Sequence, residues 1–447
     1  MTTANLVPSV GDLIDQRPLS RFQITTMSLC GLVLVLDGFA TQSIGFLAPS
    51  LADSLRVPIK TFGPVFAAAL FGLMLSSLLA GPIADRHGRK WPIIFATLIF
   101  GSFTIATAMA SNFHQLVVFR FLTGLGLGSA IPNVVALFTE YSPKRLQQTL
   151  VTILFCGMPL GALLGGVLGT VMLPRWGWRS VFYAGGVLPL AVALALIWLL
   201  PESLRFLGIR GTNRQEADKI VAQIAPELTT YSFDAPAAKS TQPSNGFPVI
   251  HLFTAGRAWG TVLLWIPFFM NLLLLYFIVN WLPALLRQAH MPAIAGIVAI
   301  SLFSLGGITG SILQGYLMNA YGRRLVLLLE FLLCIGLVSS LAFIRSFSLM
   351  MTAVFVAGIF VQGAQAGINA LAATYYPTSL RSTGVGWSLG IGRLGSILGP
   401  ILGGMMLSHA WSLKSIFFAG SLPALCAALA ILCSLFLPAD KNPYRAT

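Results

Sequence analysis

The stretch GPIADRHGRK, Gly81 to Lys90, returns in degraded form as GYLMNAYGRR, Gly315 to Arg324, and the interval between the two copies organises the whole chain. Matching Gly81 to Gly315 fixes an offset of 234 residues. At that offset, without a gap, Pro49 meets Pro283, Gly124 meets Gly358, and Tyr141 and Pro143 meet Tyr375 and Pro377. Gly161, Gly165 and Gly169 fall on Gly395, Gly399 and Gly403, and Pro189 falls on Pro423. Coincidence between common glycines explains a few such matches, but not proline and the Gly-Arg-Lys and Gly-Arg-Arg runs at one spacing. The chain is read as a duplication.

What was duplicated follows from composition. Only 9% of the 447 residues are charged and 56% are apolar, against about 25% charged in a soluble chain. Apolar runs of the length that crosses a bilayer fall at 24–50, 61–84, 91–110, 115–139, 147–172, 179–200, 259–287, 293–318, 323–344, 349–375, 382–407 and 412–437. The expected fold is therefore an all-α membrane protein with twelve transmembrane helices in two pseudo-symmetric six-helix bundles. Residues 1–200 and 259–447 form the bundles. The segment 201–258, polar and rich in Pro, Ser and Thr, forms a cytoplasmic linker with one surface helix around Asn213 to Ile224.

The net charge of +14 would suggest nucleic acid in a soluble protein, but its distribution gives another reason. With the N-terminus inside, 18 of the 27 Lys and Arg face inward, seven face outward, and Arg120 and Arg393 lie within spans. That bias orients helical membrane proteins and places both termini in the cytoplasm. Met1 to Arg21 carries acids and two prolines and does not read as a cleavable signal. The five cysteines lie in apolar runs without paired spacing, and the five histidines lie in loops or at span ends. Neither pattern suggests a disulfide framework, a metal site, a cofactor or a membrane-embedded enzyme.

Two parallel repeats facing one another suit alternating access to a midplane site, and here a family becomes visible. GPIADRHGRK resembles the signature between helices two and three of the major facilitator superfamily. RFLTGLGLG, Arg120 to Gly128, and PESLRFL, Pro201 to Leu207, are similar to further segments of that superfamily. Within it, LDGFATQSIGFLAPSL, Leu36 to Leu51, resembles the first helix of the aromatic acid:proton symporters, whose hallmark is Asp-Gly-x-Asp. Asp37, Gly38 and Phe39 match; Ala40 stands where that family has its second Asp. NVVALFTEYSP, Asn133 to Pro143, and RSTGVGWSLGIGRLGSILGP, Arg381 to Pro400, extend the likeness. The resemblance implies the major facilitator fold, a bacterial inner membrane location, a monomer, and import of an aromatic monocarboxylate with a proton.

An ionisable residue at the bilayer centre costs at least about 2.5–3.5 kcal/mol and asks for a reason. Asp37, Arg120, Glu330 and Arg393 lie inside spans, and the repeat pairs them with Asn271, Val354, Ala96 and Pro159. Charges that break the symmetry are candidates for function, because residues needed for structure tend to persist in both copies. Arg393 is the candidate for binding a carboxylate in bidentate fashion, and Asp37 for exchanging a proton. Arg120 either assists them or holds helix one. Glu330, seven residues beyond Arg323, is expected to be a peripheral, snorkelling group outside the pathway. Phe39, Trp281 and Gln362 are candidate substrate contacts, alongside Tyr276, Tyr375, Trp387, Asn280 and Gln365; each equally suits packing or helix satisfaction.

Gly81, Asp85, Arg86, Gly88, Arg89, Lys90 and Arg381 form a candidate inner gate. Asp85 would approach the start of helix eleven, where the dipole favours an anion, and Arg89 would pair with Glu140, which is also a candidate in proton coupling. The glycine runs at Gly157 to Gly166 and Gly395 to Gly404 fit close helix packing. They also resemble an antiporter signature, which keeps open the alternative of a proton-coupled exporter of drugs or organic anions. Ala40 removes a carboxylate close to one helical turn from Asp37, so weak proton coupling is expected.

Overall fold

The computed structural model describes residues 9–210, 214–226, 231–233, 248–254, 256–292, 294–377 and 380–436. Its helices are α1 Val10–Gln16, α2 Arg21–Leu55, α3 Gly63–His87, α4 Lys90–Met109, α5 Phe113–Glu140, α6 Lys144–Phe155, α7 Gly157–Leu199, α8 Leu204–Arg210, α9 Arg214–Ile224, α10 Ala258–Gln288, α11 Ala295–Tyr321, α12 Arg323–Ser340, α13 Phe347–Tyr375, α14 Arg381–Ser408 and α15 Leu413–Leu435. Among the described residues, ten segments are long and apolar enough to cross a membrane. The twelve expected crossings are consistent with that set. One of the ten, Thr149–Leu199, is 51 residues long, and Gly177 at φ 73° breaks its helix α7 into two. The 18-residue α12 falls outside the ten and contains Arg323, Arg324 and Glu330. The protein is a multi-pass membrane protein.

The chain divides into two compact units, one of Met1–Val57 with Ala68–Pro243, the other of Pro58–Ala67 with Ser244–Thr447. The repeat reappears inside each unit as repeated contacts. A Cβ on Gly161 would run into the Val35 carbonyl, and one on Gly395 into the Phe269 carbonyl. Gly124 meets Ala69 as Gly358 meets Phe303, and Gly72 meets Phe121 as Gly306 meets Phe355. Every partner is displaced by the same 234 residues. Small residues are kept at these positions because backbone packs directly on backbone, the usual basis of helix association in lipid. The glycine runs therefore have a packing role. The two copies of the signature share a second device, since Gly88 and Gly322 both take positive φ, 83° and 89°, where the chain leaves one helix for the next.

Part of the segment after α7 packs into the first unit. Capped by Ser9, α1 lays Val10, Leu13 and Ile14 into a cluster with Leu204 and Leu207 and with Ala217, Ile220, Val221 and Ile224 of α9. Val10 N–H donates to the Ser232 carbonyl at 3.0 Å, Lys144 Nζ lies 2.8 Å from Asp15 Oδ2, and Lys144 N–H donates to Asp15 Oδ1 at 2.8 Å. The surface helix expected around Asn213 to Ile224 is α9, described from Arg214; Asn213 lies outside the described residues. Rather than lying free on the surface, α9 buries one apolar face under α1 because its apolar residues recur at helical spacing.

Candidate functional site

In the first unit, Asp37 and Arg120 are both fully buried, at 0% exposure. They come from α2 and α5. Arg120 Nη2 donates to the Ala40 carbonyl at 3.2 Å. Among the described residues its Nε and Nη1 have no hydrogen-bond acceptor. Thr41 Oγ1 donates to Asp37 Oδ1 at 3.4 Å. Ala40 thus stands directly at the buried guanidinium, packed with Leu36, Leu73, Phe100 and Leu127. Phe39 is buried, with its ring against Gly165 and Gly185, so it fills space between helices.

At the inner end of the same unit, Arg89 Nη1 lies 2.7 Å from Glu140 Oε1, forming the expected ion pair. The organising group, however, is Glu202, which motif reading left without a role. Its Oε1 accepts from Arg89 N–H at 2.6 Å, Lys90 N–H at 3.3 Å and Ser203 N–H at 2.8 Å. An acid 112 residues away in sequence therefore caps the start of α4, where unsatisfied N–H groups and the dipole favour negative charge. A Cβ on Gly88 would collide with that carboxylate. Ser203 Oγ donates to Glu140 Oε2, and Tyr141 Oη donates to the Glu202 carbonyl at 2.7 Å. Burial above all, then the charges of Glu140 and Glu202, pushes the Tyr141 phenol well above its usual range and keeps it a donor.

Glu202 was detectable in sequence. The offset places Phe436 opposite it, so it breaks the symmetry as Asp37 does. Of the other expected gate residues, Arg86 and Arg381 are exposed, Lys90 is half-buried, and Gly81 is exposed with open space where a Cβ would be. The Asp85 side chain lies outside the described residues.

In the second unit, Arg393 projects from α14, 12 residues beyond Arg381 at its start, about 18 Å along the helix at 1.5 Å per residue. Arg393 is half-buried. Among the described residues its guanidinium makes no hydrogen bond or ion pair. Gly392 packs on Phe268 and Leu272, and Gly395 on Phe269, so α14 runs closely against α10 on either side of Arg393. Asn271 is buried and donates through Nδ2 to the Val361 carbonyl at 3.1 Å and to Gln365 Oε1 at 2.9 Å. Gln365 in turn donates to Asn369 Oδ1 at 3.3 Å. This amide chain runs outward from buried Asn271 to exposed Asn369 along α13. Asn271 is the repeat partner of Asp37, a link the alignment contained.

The remaining candidates are engaged in structure. Trp281 is completely buried, donating Nε1–H to the Pro400 carbonyl at 2.8 Å, with Phe66 edge-on at 5.3 Å. Half-buried Gln362 donates to the Phe303 carbonyl at 3.1 Å and lies against Gly307. Asn280 donates to Tyr276 O at 2.7 Å. Tyr276 is buried, Tyr375 donates to the Arg257 carbonyl at 3.2 Å, and exposed Trp387 stacks on Trp265. The snorkelling expectation for Glu330 is corrected: at 6% exposure it is buried, and it accepts from Gln314 Nε2 of α11 at 3.0 Å. The amide draws it inward, which spacing from Arg323 does not reveal.

The profile of the Major Facilitator Superfamily matches residues 30–351 and 298–446. The 4-hydroxybenzoate transporter PcaK of Pseudomonas putida is 40% identical over 426 residues, covering 95% of both chains. A gallate transporter of the same species is 39% identical, covering 95% of this chain and 94% of the other. The benzoate transport protein of Acinetobacter baylyi is 33% identical, covering 98% and 94%. Among solved structures, the proton:xylose symporter XylE superposes with a TM-score of 0.66 at 16% identity, over 93% of this chain and 96% of the other. That last likeness concerns the fold alone.

Proposed function

Since this chain belongs to the Major Facilitator Superfamily, we propose that it imports aromatic carboxylates of the benzoate and hydroxybenzoate type by proton symport with alternating access. It is a transporter and not an enzyme. Relatives named for 4-hydroxybenzoate, gallate and benzoate support the substrate class. The observation that carries the reading is Arg393, a half-buried guanidinium deep in α14 without a polar partner among the described residues. A partly buried cation without a counter-charge bears an uncompensated share of desolvation, and a substrate carboxylate supplies the missing charge in a geometry the guanidinium fork matches.

Energetics call for the proton. Bringing in a monoanion against an inside-negative potential costs about 2.3 kcal/mol per 100 mV. A proton carried with it makes the cycle electroneutral, and each unit of inward pH gradient then contributes about 1.4 kcal/mol. Asp37, buried beside the Ala40 turn that holds Arg120, is the acid assigned to that proton. In this reading Arg120 positions helix one, and the Arg89, Glu140 and Glu202 cluster with Arg86, Lys90 and Arg381 works as the inner gate. Residues 1–200 and 259–447 act as the two bundles, joined by 201–258. The excess of inward Lys and Arg supports cytoplasmic termini in a bacterial inner membrane, and one chain, holding both repeats, suffices as a monomer.

Equilibrium binding of 4-hydroxybenzoate to the full-length protein in lipid nanodiscs tests the assignment. Truncating one partner of a buried charge pair costs about 2–5 kcal/mol, so Arg393→Ala should weaken binding at least about thirtyfold. Arg393→Lys, which keeps charge but loses the fork, should fall between. Unchanged affinity in Arg393→Ala removes Arg393 from the site.

A further inference from the structure

Gln314 of α11 and Glu330 of α12 occupy the repeat positions of Ala80 and Ala96, so two buried alanines of the first unit correspond to a buried polar pair in the second. Gln314 is 3% exposed and Glu330 6%. Gln314 Nε2 donates to Glu330 Oε2 at 3.0 Å. The other end of the amide, Oε1, is buried and meets no donor among the described residues. From α13 two glycines face the amide: a Cβ on Gly367 would run into Gln314 Nε2, with Met318 and Leu327 beside it, and one on Gly363 would lie 3.5 Å from Gln314 Oε1. Nothing apolar in that ring satisfies the orphan oxygen.

Cations do not answer it either. Arg324, on the same helix, donates Nη1 to the Ser434 carbonyl of α15 at 2.8 Å. The titratable side chain one turn on is the buried Cys334. Among the described residues no Lys, Arg or His forms an ion pair with Glu330. A carboxylate there would be a buried charge held by one neutral amide hydrogen bond, beside an acceptor with no donor, which is unfavourable on both counts. A single proton resolves both.

We propose that Glu330 is a proton-binding site: a neutral carboxylic acid whose Oε1–H donates to Gln314 Oε1 while Gln314 Nε2 donates to its carbonyl oxygen, closing a cyclic acid–amide pair between α11 and α12. Every polar atom of the amide that faces the acid is then used. The proton belongs to the second unit and is separate from Asp37 in the first. The site does not depend on the substrate reading, because no substrate group takes part.

Infrared difference spectroscopy on the full-length protein in nanodiscs at neutral pH tests it. The parent should show the carbonyl stretch of a protonated carboxylic acid, shifting in D2O, and Glu330→Gln should lack it. Gln314→Leu should move the same band to higher frequency, as expected of an acid released from its amide. Glu330→Gln can form an amide–amide pair, so its Tm should stay within about 2 °C of the parent. Arg393→Ala should leave the band in place, which separates this site from the carboxylate site. A Glu330→Gln spectrum that loses a carboxylate band, or loses no band, overturns the proposal. So does a Gln314→Leu band that does not move.

Discussion

Replacing Glu202 by alanine is expected to loosen the inner end of the first unit more than any surface change, and its size follows from the contacts. One oxygen, Oε1, receives the N–H groups of Arg89, Lys90 and Ser203 at 2.6, 3.3 and 2.8 Å. Hydrogen bonds to a charged group contribute about 1.5–3 kcal/mol each; three donors sharing one acceptor make the total smaller than a simple sum, about 4 kcal/mol. Favourable interaction with the α4 dipole adds to this by up to about 1 kcal/mol at an end with some solvent access. At about 2–4 °C per kcal/mol for a melting unit of about 150–250 residues, the size range of the first unit, Glu202→Ala should lower the Tm of that unit by about 10 °C. Glu202→Gln keeps an acceptor oxygen but loses the charge, which roughly halves the strength of such bonds, so about half the loss should appear. Thermal melts of the purified full-length protein, followed by tryptophan fluorescence and by retention of the monodisperse peak after heating, give both values. If Glu202→Ala melts within 2 °C of the parent, or Glu202→Gln melts as low as the alanine variant, the carboxylate does not hold this end of the fold.

Other outcomes follow from the same geometry. Ala40→Asp puts a carboxylate on the residue whose backbone carbonyl accepts from Arg120. In proteoliposomes it should raise gradient-driven accumulation of 4-hydroxybenzoate toward the limit of about tenfold per pH unit for one proton, and full coupling in the Ala40 parent contradicts the idea. Gly124→Ala and Gly358→Ala drive a methyl group into the carbonyls of Ala69 and Phe303. At about 1–3 kcal/mol for overpacking, both should lower Tm by similar amounts, and a unilateral effect would argue against equivalent packing in the two units. For Asp15, burial pushes the carboxyl up, but the hydrogen bonds and charge of Lys144 outweigh it and hold the group below its ordinary value. A depressed value means that the α1 contact is fully present above the ordinary aspartate range and lost as the pH falls through the lowered one. Protection of the Val10–Gln16 amides, taken relative to their intrinsic exchange rates, should fall on acidification, and Asp15→Asn should remove that dependence.

Sequence alone determined what depends on periodicity and symmetry. Apolar run lengths gave the membrane class, because only helices and closed barrels satisfy their backbone in lipid. One constant offset gave the duplication, which the paired contacts of Gly161 with Val35 and Gly395 with Phe269 repeat in three dimensions. Breaks in that symmetry singled out Asp37, Arg120 and Arg393, and the Arg89 to Glu140 ion pair was readable because both lie at inner helix ends.

What sequence could not decide was which polar groups meet. Glu202 caps a helix that begins 112 residues earlier. Trp281 spends its N–H on Pro400, and Glu330 turns inward to Gln314. Ala40 lies against the buried guanidinium of Arg120. Each of these depends on the rotation of one helix about its axis relative to another. A span of uniformly apolar residues carries almost no amphipathic signal to fix that rotation, so it is set by the packing of small residues and decided only when the helices are in place.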